Sequence, residues 1–137
     1  RGVTDTRVFP WGDAPPTCAH ANAMVEVYDD WCVGTTVAVG SYPTGASPDE
    51  LMDMSGNVVE WVNDWYDADY YQSMPVDEPA DNPQGPTGGD GDVHVLRGGS
   101  WMSPRQHVRI AYRGNSTVHT ELNQIGFRCA RSYPTGG

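Results

Sequence analysis

Glycine and proline interrupt this chain so often that long elements of regular structure have no room to form. The 137 residues include 16 glycines and 11 prolines, about a fifth of the total. Nine of these residues fall between positions 10 and 48, so we predict that residues 1–50 are loop. Such frequent breaks argue against a helical bundle and favour short strands joined by long loops. The length suits one domain with a core of its own.

Four segments carry the pattern of a short strand. They are rich in apolar and aromatic residues, several of them in alternation, which is typical of a strand with one buried face. Residues 67–92 form a long acidic loop, and loops of this length in compact domains are usually functional or held by ions or a neighbour. The sequence assigns no element to residues 116–124. The four predicted strands are residues 58–65, 93–97, 108–113 and 126–130.

The charge is unevenly distributed along the chain. The net charge is −10, residues 1–92 hold 17 of the 18 acidic residues, and residues 93–137 hold six of the eight arginines. An acidic surface repels phosphate backbones, so we expect no nucleic-acid binding. The carboxylates either cover an arginine-bearing sheet or ligate cations, and the sequence leaves both readings open. No apolar run approaches the roughly 18 residues of a membrane helix, so we expect no membrane span.

The three cysteines indicate whether the protein works in an oxidising or a reducing compartment. Only a short polar loop separates Cys18 from Cys32, so we predict a disulfide between them. Such a bond indicates an oxidising compartment, with the protein secreted, periplasmic or on the cell surface. Cys129 is then left over. The chain has no Cys-x-x-Cys motif, so a zinc site has no support.

A series of short motifs follows one order and spacing over residues 8–131. The motifs are Phe9–Gly12, Ala21-Asn22, Val39–Pro43, Asp53–Trp61, Asp64–Tyr66, Asn82–Pro86, Leu96–Trp101 and Gly126–Ala130. One of them alone would be weak, but the ordered series is specific. Together they resemble the formylglycine-generating-enzyme family, also called sulfatase-modifying factor domains.

This resemblance implies a fold and an extent. Family members adopt an α+β variant of the C-type lectin fold, loop-rich with short antiparallel strands, which agrees with the frequent glycines and prolines. Family domains are considerably longer, so residues 1–137 would be a single partial domain, its C-terminal half. We expect an upstream segment or a partner chain to supply the other half, unless the fold is trimmed. The cysteine matching Cys129 pairs with an upstream one in the resembling enzyme, so we expect Cys129 to be free and buried under the last strand.

The resemblance also implies a copper site, which this sequence lacks. The namesake enzyme oxidises a sulfatase cysteine to formylglycine with copper held by two thiolates. The first thiolate position matches Ser103, and the second matches Val108 or falls in a small deletion near it. Neither a hydroxyl nor an aliphatic group replaces a thiolate for Cu(I). Val59 stands where the family usually has tryptophan, and the pocket serine, Ser100, is retained. We therefore expect no copper and name no catalytic residue.

A structural calcium site survives in the resemblance. Its ligands match the side chains of Asp53 and Glu60 and the carbonyls of Gly56 and Val58. Two acids and a Gly-Asn turn within eight residues can supply four of the six to eight oxygens that Ca²⁺ prefers. The alternative is that Asp53 caps the turn and Glu60 faces solvent.

A second calcium site in the resemblance is less complete. The Asn22 side chain and the Ala23 carbonyl match its first two ligands. Asp30 is the best candidate acid, with the Cys32 carbonyl beyond it. Because the loop length differs from that of well-known members, Asp29 is an alternative to Asp30.

The surviving features favour a non-catalytic, calcium-stabilised, lectin-like binding or scaffold domain. Its ligand surface would be aromatic and cationic and would suit a peptide, a glycan or an acidic protein. Alternatively, its arginines pair internally with the acids of residues 53–92. Two other classes stay open: an enzyme of the family, a formylglycine-generating oxidase or sulfoxide-synthase type, with catalytic residues elsewhere, or a surface-displayed variable protein diversified over residues 97–128. The predicted ligand surface comprises Ser100, Trp101, Arg105, Arg109 and Tyr112.

Overall fold

Four short strands and one 3-10 helix form the regular structure of this protein. The computed structural model describes residues 5–25, 30–75, 83, 85–88 and 91–130. Within these ranges there is no α-helix, so the helical part of the predicted α+β fold is reduced here to one 3-10 turn. The elements are the 3-10 helix Pro43–Gly45 and strands β1 (Val59–Trp65), β2 (Val93–Arg97), β3 (Gly114–Thr117) and β4 (Ile125–Phe127).

The four strands form one mixed sheet in the order β3-β2-β1-β4. β2 runs antiparallel to both β1 and β3, with Trp61 opposite Leu96 and His94 opposite Ser116. β4 runs parallel to β1, with Glu60 opposite Gly126. The expectation of antiparallel strands is therefore wrong for β4. The short segment between β3 and β4 carries the chain from one edge of the sheet to the other, where β4 runs in the direction of β1.

Three of the four predicted strands are found with small changes at their ends, but the strand predicted at residues 108–113 is wrong. These residues form turns, and the strand begins at Gly114. The guanidinium of Arg97 donates to the carbonyls of Ile110 at 2.9 Å and Tyr112 at 2.6 Å. Those carbonyls are then engaged by a side chain rather than by a sheet ladder. The apolar and basic alternation arises because Val108 is buried while Arg109 is exposed.

One cluster of buried apolar residues lies among the loops, and Val95 and Leu96 of β2 are also buried. Phe9, Ala23, Val25 and Val108 form this cluster, and the predicted disulfide between Cys18 and Cys32 packs against it. Closing a loop of this length stabilises a small domain by about 3 kcal/mol. Cys129 is free as expected, but it is exposed, so its predicted burial is wrong. It follows β4, an edge strand that no described element covers.

The turn at Gly56 and Asn57 joins three distant loops. The Asn57 amide donates to the Asn22 carbonyl at 2.8 Å, and the Asn57 carbonyl accepts from the Trp101 amide at 3.0 Å. The Asn57 side chain accepts from the Val37 amide at 2.9 Å. Gly56 has φ +83°, and a Cβ there would lie 2.6 Å from the Asn22 carbonyl oxygen. Only glycine therefore allows this close approach, which brings the predicted sites together.

No helix in the described ranges is long and apolar enough to cross a membrane.

Candidate functional site

A cavity of about 340 Å³ opens where β1, β2 and β3 meet the turn after β2. Three predicted residues line it, namely Ser100, Ser103 and Tyr112, together with Val59 at the position where the family usually has tryptophan. We call it the uncharged cavity, because the described residues of its lining include no Asp, Glu, Lys or Arg. These residues are Val59, Leu96, Gly99, Ser100, Ser103, His107, Tyr112, Gly114, Asn115, Ser116, Leu122, Gln124 and Ile125.

Both serines of this cavity are engaged in one tight turn. The Ser103 Oγ accepts from the Ser100 amide at 2.9 Å and lies 3.4 Å from the Ser100 Oγ. The Ser100 Oγ also accepts from the Met102 amide at 3.3 Å. Among the described residues, neither hydroxyl is hydrogen-bonded to a histidine or a carboxylate. The arrangement therefore contains no activated nucleophile of the Ser-His type.

The other matched thiolate position lies in a different environment. Val108 is fully buried in the core, packed with Phe9, Ala23 and Val25. Its carbonyl accepts from the Ser55 hydroxyl at 2.7 Å. The copper of the resembling enzymes needs two soft sulfur ligands, and these two positions supply one hydroxyl and one aliphatic core residue. The donor set therefore does not fit copper.

The structure divides the predicted ligand surface into separate parts. Ser100 and Tyr112 line the uncharged cavity, where the ring of His107 stacks on Tyr112 with centroids 4.1 Å apart. Trp101 lies against Trp31, and its indole nitrogen is buried with no hydrogen-bond partner among the described residues. The two remaining residues are exposed and outside the lining of the cavity: Arg105 and Arg109.

The residues of the first predicted calcium site share one cavity of about 550 Å³. Asp53, Gly56, Val58 and Glu60 all line it. One carboxylate oxygen of Asp53 accepts a hydrogen bond from the Gly40 amide at 2.7 Å. The other carboxylate oxygen takes no part in that hydrogen bond. The oxygen chemistry of this set fits a calcium ion, and these residues would hold it between the turn and the start of β1.

Arg128 is the residue that sequence reasoning missed at this site. Its guanidinium pairs with Glu60 at 2.8 Å and also donates to the carbonyls of Met52 and Asp53, each at 3.0 Å. The hydrogen bond to Glu60 raises the pKa of Arg128. The half-buried position of Glu60 signalled a partner, and Arg128 stands two residues beyond Gly126, which pairs with Glu60 across the sheet. Glu60 therefore has one positive partner already.

Asn22 carries the strongest signal for the second predicted cation site. It is fully buried, and its amide nitrogen donates to the Thr35 carbonyl at 2.7 Å and contacts the Asn57 side-chain oxygen at 3.4 Å. These two acceptors fix the orientation of the amide. Its oxygen is then buried without a hydrogen-bond partner among the described residues. Buried oxygens are rarely left unpaired, and a bound cation would satisfy this one.

The structure brings together only some of the other ligands predicted for the second calcium site. The Cys32 amide donates to the Ala23 carbonyl at 3.1 Å, which joins two of them. Asp30 is exposed, and one of its oxygens accepts from its neighbour Trp31 at 2.9 Å. The alternative acid, Asp29, lies outside the described residues. In the part of the chain that the structure describes, no three His, Cys, Asp or Glu side chains cluster as a metal site.

Residues 1–133 match the family described as the sulfatase-modifying factor enzyme 1-like domain. The chain belongs to this family. It is 42% identical over 97 residues to the serine/threonine-protein kinase pkn1 of Chlamydia pneumoniae, covering 71% of this chain and 15% of the kinase. It is 38% identical over 141 residues to the formylglycine-generating enzyme of Streptomyces coelicolor, covering 95% of this chain and 42% of the enzyme. The resemblance predicted from the motifs is confirmed, and the chain spans less than half the length of either relative.

A solved structure shares the fold of this sulfatase-modifying factor domain. Treponema denticola variable protein 1 matches with a TM-score of 0.67, over 92% of this chain and 41% of that protein. The sequence identity is 23%. The match shows a common loop-rich fold around a small mixed sheet.

Proposed function

We propose that this sulfatase-modifying factor domain is a non-catalytic, calcium-stabilised binding domain whose ligand enters the uncharged cavity. One observation carries the proposal: Ser103, at the first thiolate position, is held in a backbone turn, and Val108, at the second, is buried in the core. Without either thiolate the site lacks the group that redox chemistry on cysteine requires. The uncharged cavity can still bind a ligand.

The lining of the uncharged cavity favours an uncharged polar ligand, such as a neutral glycan. The side-chain amides of Asn115 and Gln124 can donate and accept hydrogen bonds, and the Ser116 hydroxyl, which donates to the Thr120 Oγ1 at 2.8 Å, can accept one. The stacked rings of His107 and Tyr112 offer a flat face. An acidic ligand would find no cation in this lining. A peptide would bind here through its backbone amides rather than through charged side chains.

Calcium would stabilise the loops that support this cavity. Asp53, Gly56, Val58 and Glu60 would hold one ion, and the unpaired oxygen of Asn22 supports a second near Ala23. The turn between these residues anchors Trp101 through the Asn57 carbonyl. Ion binding would therefore restrict the backbone beside Ser100.

The wider context of the domain is also part of the proposal. The fold is a C-type-lectin-like variant, and an upstream segment or a partner chain completes it. The disulfide between Cys18 and Cys32 supports a role in an oxidising compartment, secreted, periplasmic or at the cell surface. An enzymatic role would then depend on catalytic residues elsewhere in a longer protein, in line with the relatives named as a serine/threonine-protein kinase and as a formylglycine-generating enzyme.

The first experiment tests the loss of oxidase chemistry. The chain is incubated with a sulfatase-derived Cys-x-Pro-x-Arg peptide, copper and reductant, beside the Streptomyces coelicolor formylglycine-generating enzyme as a positive control. We expect no aldehyde by mass spectrometry, because Ser103 and Val108 offer no thiolate. Stoichiometric aldehyde formed by this chain would overturn the proposal.

The second experiment tests binding in the uncharged cavity. A panel of neutral glycans and of capped neutral peptides is titrated into the chain, followed by amide chemical shifts. We expect perturbations at residues of the cavity, and we expect Gln124→Ala to weaken them. Binding that persists unchanged in Gln124→Ala and Asn115→Ala would contradict this assignment of the site.

A further inference from the structure

A third cavity, of about 570 Å³, lies on the other side of β2 from the uncharged cavity. Leu96 lines the uncharged cavity, whereas the next residue of the strand, Arg97, lines this one. Its volume falls within the roughly 300–1,000 Å³ that is usual for small-molecule sites. We call it the arginine cavity, because Arg7, Arg97 and Arg113 all line it.

Arg113 is the arginine of this cavity best placed to meet a ligand. Its guanidinium lies 5.4 Å from the ring centre of Tyr66 and 5.0 Å from that of Tyr71. One nitrogen donates to the Asp67 carbonyl at 3.1 Å, and Arg113 forms no ion pair among the described residues. The two rings and this bond hold a planar group with further N–H donors in one orientation. A planar guanidinium held in this way is suited to bidentate binding of a carboxylate.

The other two arginines are fixed by the protein itself. Arg97 donates to the carbonyls of Tyr112 and Ile110. Arg7 pairs with Asp5, which raises the pKa of Arg7, and it also donates to the Pro10 carbonyl at 2.8 Å. These contacts hold the guanidinium groups of Arg97 and Arg7 in fixed positions in the lining of the cavity.

Apolar side chains form another part of the lining, which we call the apolar wall. Leu51 is 49% exposed, Met54 36% and Tyr71 51%, and all three line the arginine cavity. Ile110 and Pro10 add further apolar surface. Large apolar side chains that are exposed together, beside a cationic group, are typical of a site for an amphipathic ligand.

The surroundings of the arginine cavity limit the charge that such a ligand can carry. Asp49 also lines the cavity, and the chain as a whole has a net charge of −10. A polyanion would be repelled by these carboxylates, whereas a single carboxylate can be placed on Arg113 alone. The arrangement therefore favours a small monoanion with an apolar body.

We propose that the arginine cavity binds a small aromatic or branched aliphatic carboxylic acid. The carboxylate pairs with the guanidinium of Arg113, and the apolar body lies against Leu51, Met54 and Tyr71. This site is separate from the uncharged cavity, so it does not depend on the function proposed above.

The test is a calorimetric and amide-shift titration of the full chain with phenylacetate, isovalerate and indole-3-acetate. We expect at least one acid to bind with shifts confined to residues of the arginine cavity. Phenylacetamide, which has the same shape without the charge, should bind about tenfold more weakly, because the charge-assisted pair with Arg113 is lost. Equal binding of acid and amide would overturn the proposal, as would the failure of all three acids to bind at about 10 mM.

Matched variants locate the site. Arg113→Gln should weaken binding about tenfold, and Arg113→Lys, which keeps the charge without the planar fork, should lie between this variant and the native chain. Arg105→Gln, an exposed arginine outside both cavities, should bind as the native chain does. An Arg113→Gln affinity within about twofold of the native value would contradict the proposal.

Arg113 also donates to the Asp67 carbonyl, so Arg113→Gln could fail to fold. A variant at the edge of the apolar wall then tests the site instead. Leu51 is half exposed, so Leu51→Glu should leave the fold intact while placing a carboxylate on the apolar wall. We expect this variant to lose phenylacetate binding by at least about tenfold through charge repulsion. Unchanged binding in Leu51→Glu would place the ligand elsewhere and overturn the proposal.

Discussion

The uncharged cavity and the arginine cavity are neighbours with opposite chemistry, and a single strand separates them. Leu96 and Arg97 are consecutive residues of β2, and they line different cavities. The turn segment after Val108 repeats this division, since Tyr112 lines the uncharged cavity while Ile110 and Arg113 line the other. Successive residues of a strand point to opposite faces of a sheet. Two kinds of binding surface can therefore be built from one short stretch of sequence.

The two cavities also select ligands by different properties. The uncharged cavity offers hydrogen-bonding groups without a net charge, so it discriminates by shape and by the position of polar atoms. The arginine cavity offers an oriented cation beside apolar side chains, so it discriminates by charge. A ligand suited to one cavity has little reason to bind in the other.

The largest effect on both cavities should come from Arg97→Leu. This change removes two hydrogen bonds from a charged group to the carbonyls of Ile110 and Tyr112, which belong to the segment that lines both cavities. We expect the free energy of unfolding to fall by about 3 kcal/mol, because such bonds each contribute about 1.5–3 kcal/mol and the carbonyls lose their partner. Urea unfolding measures the loss. A loss below about 0.5 kcal/mol, the level of an exposed substitution such as Arg105→Leu, would show that Arg97 does not hold this segment.

The next effect concerns calcium and the segment of residues 54–57. Met54 lines the arginine cavity, while the Asn57 carbonyl accepts from the Trp101 amide, next to Ser100 of the uncharged cavity. Calcium at about 100 times its dissociation constant should stabilise the native state by about 2.7 kcal/mol, seen as a higher melting temperature than in chelator. Glu60→Gln should reduce this gain, and Glu121→Gln, at an exposed acid elsewhere, should not. A melting temperature unaffected by chelator in all three proteins would reject the calcium sites.

Sequence reasoning succeeded where local pattern determines structure. The alternation around Trp61 and the apolar run before Gly98 predicted β1 and β2, since both strands pack on a partner strand through that pattern. The disulfide followed from the spacing of its two cysteines. The motifs predicted the family, which the match over residues 1–133 confirms.

It failed where a distant side chain decides the local structure. Residues 108–113 have the alternation of a strand, but the guanidinium of Arg97 engages two of their carbonyls, so they form turns. The pairing of Arg128 with Glu60 and the parallel entry of β4 likewise depend on contacts between residues more than 60 positions apart. The arginine cavity could not be predicted for the same reason, because five separate segments contribute its lining.

A smaller effect should distinguish the two cavities by the salt dependence of ligand binding. Raising the salt concentration from about 0.05 to 0.5 M should weaken phenylacetate binding about threefold, because the carboxylate and Arg113 are partly screened. Binding of a neutral glycan in the uncharged cavity should change by less than about 1.5-fold over the same range, because none of the described residues that line it is Asp, Glu, Lys or Arg. The measurement is a pair of titrations at each salt concentration. Equal salt dependence at the two sites would remove the distinction between them.

The smallest effect should come from reversing the charge of Arg105 and Arg109 together. Both are exposed, neither lines a cavity described above, and the contact given for Arg109 is a bond from its Nε to the Gln106 carbonyl at 2.8 Å. The ion pairs in the described ranges are Arg7 with Asp5 and Arg128 with Glu60, so neither reversal breaks one. We expect Arg105→Glu/Arg109→Glu to change the free energy of unfolding by less than about 0.5 kcal/mol. Glycan binding should stay within about twofold of the native chain. A loss above about 2 kcal/mol would show that these arginines are structural, and a selective loss of glycan binding would return them to the ligand surface that the sequence predicted.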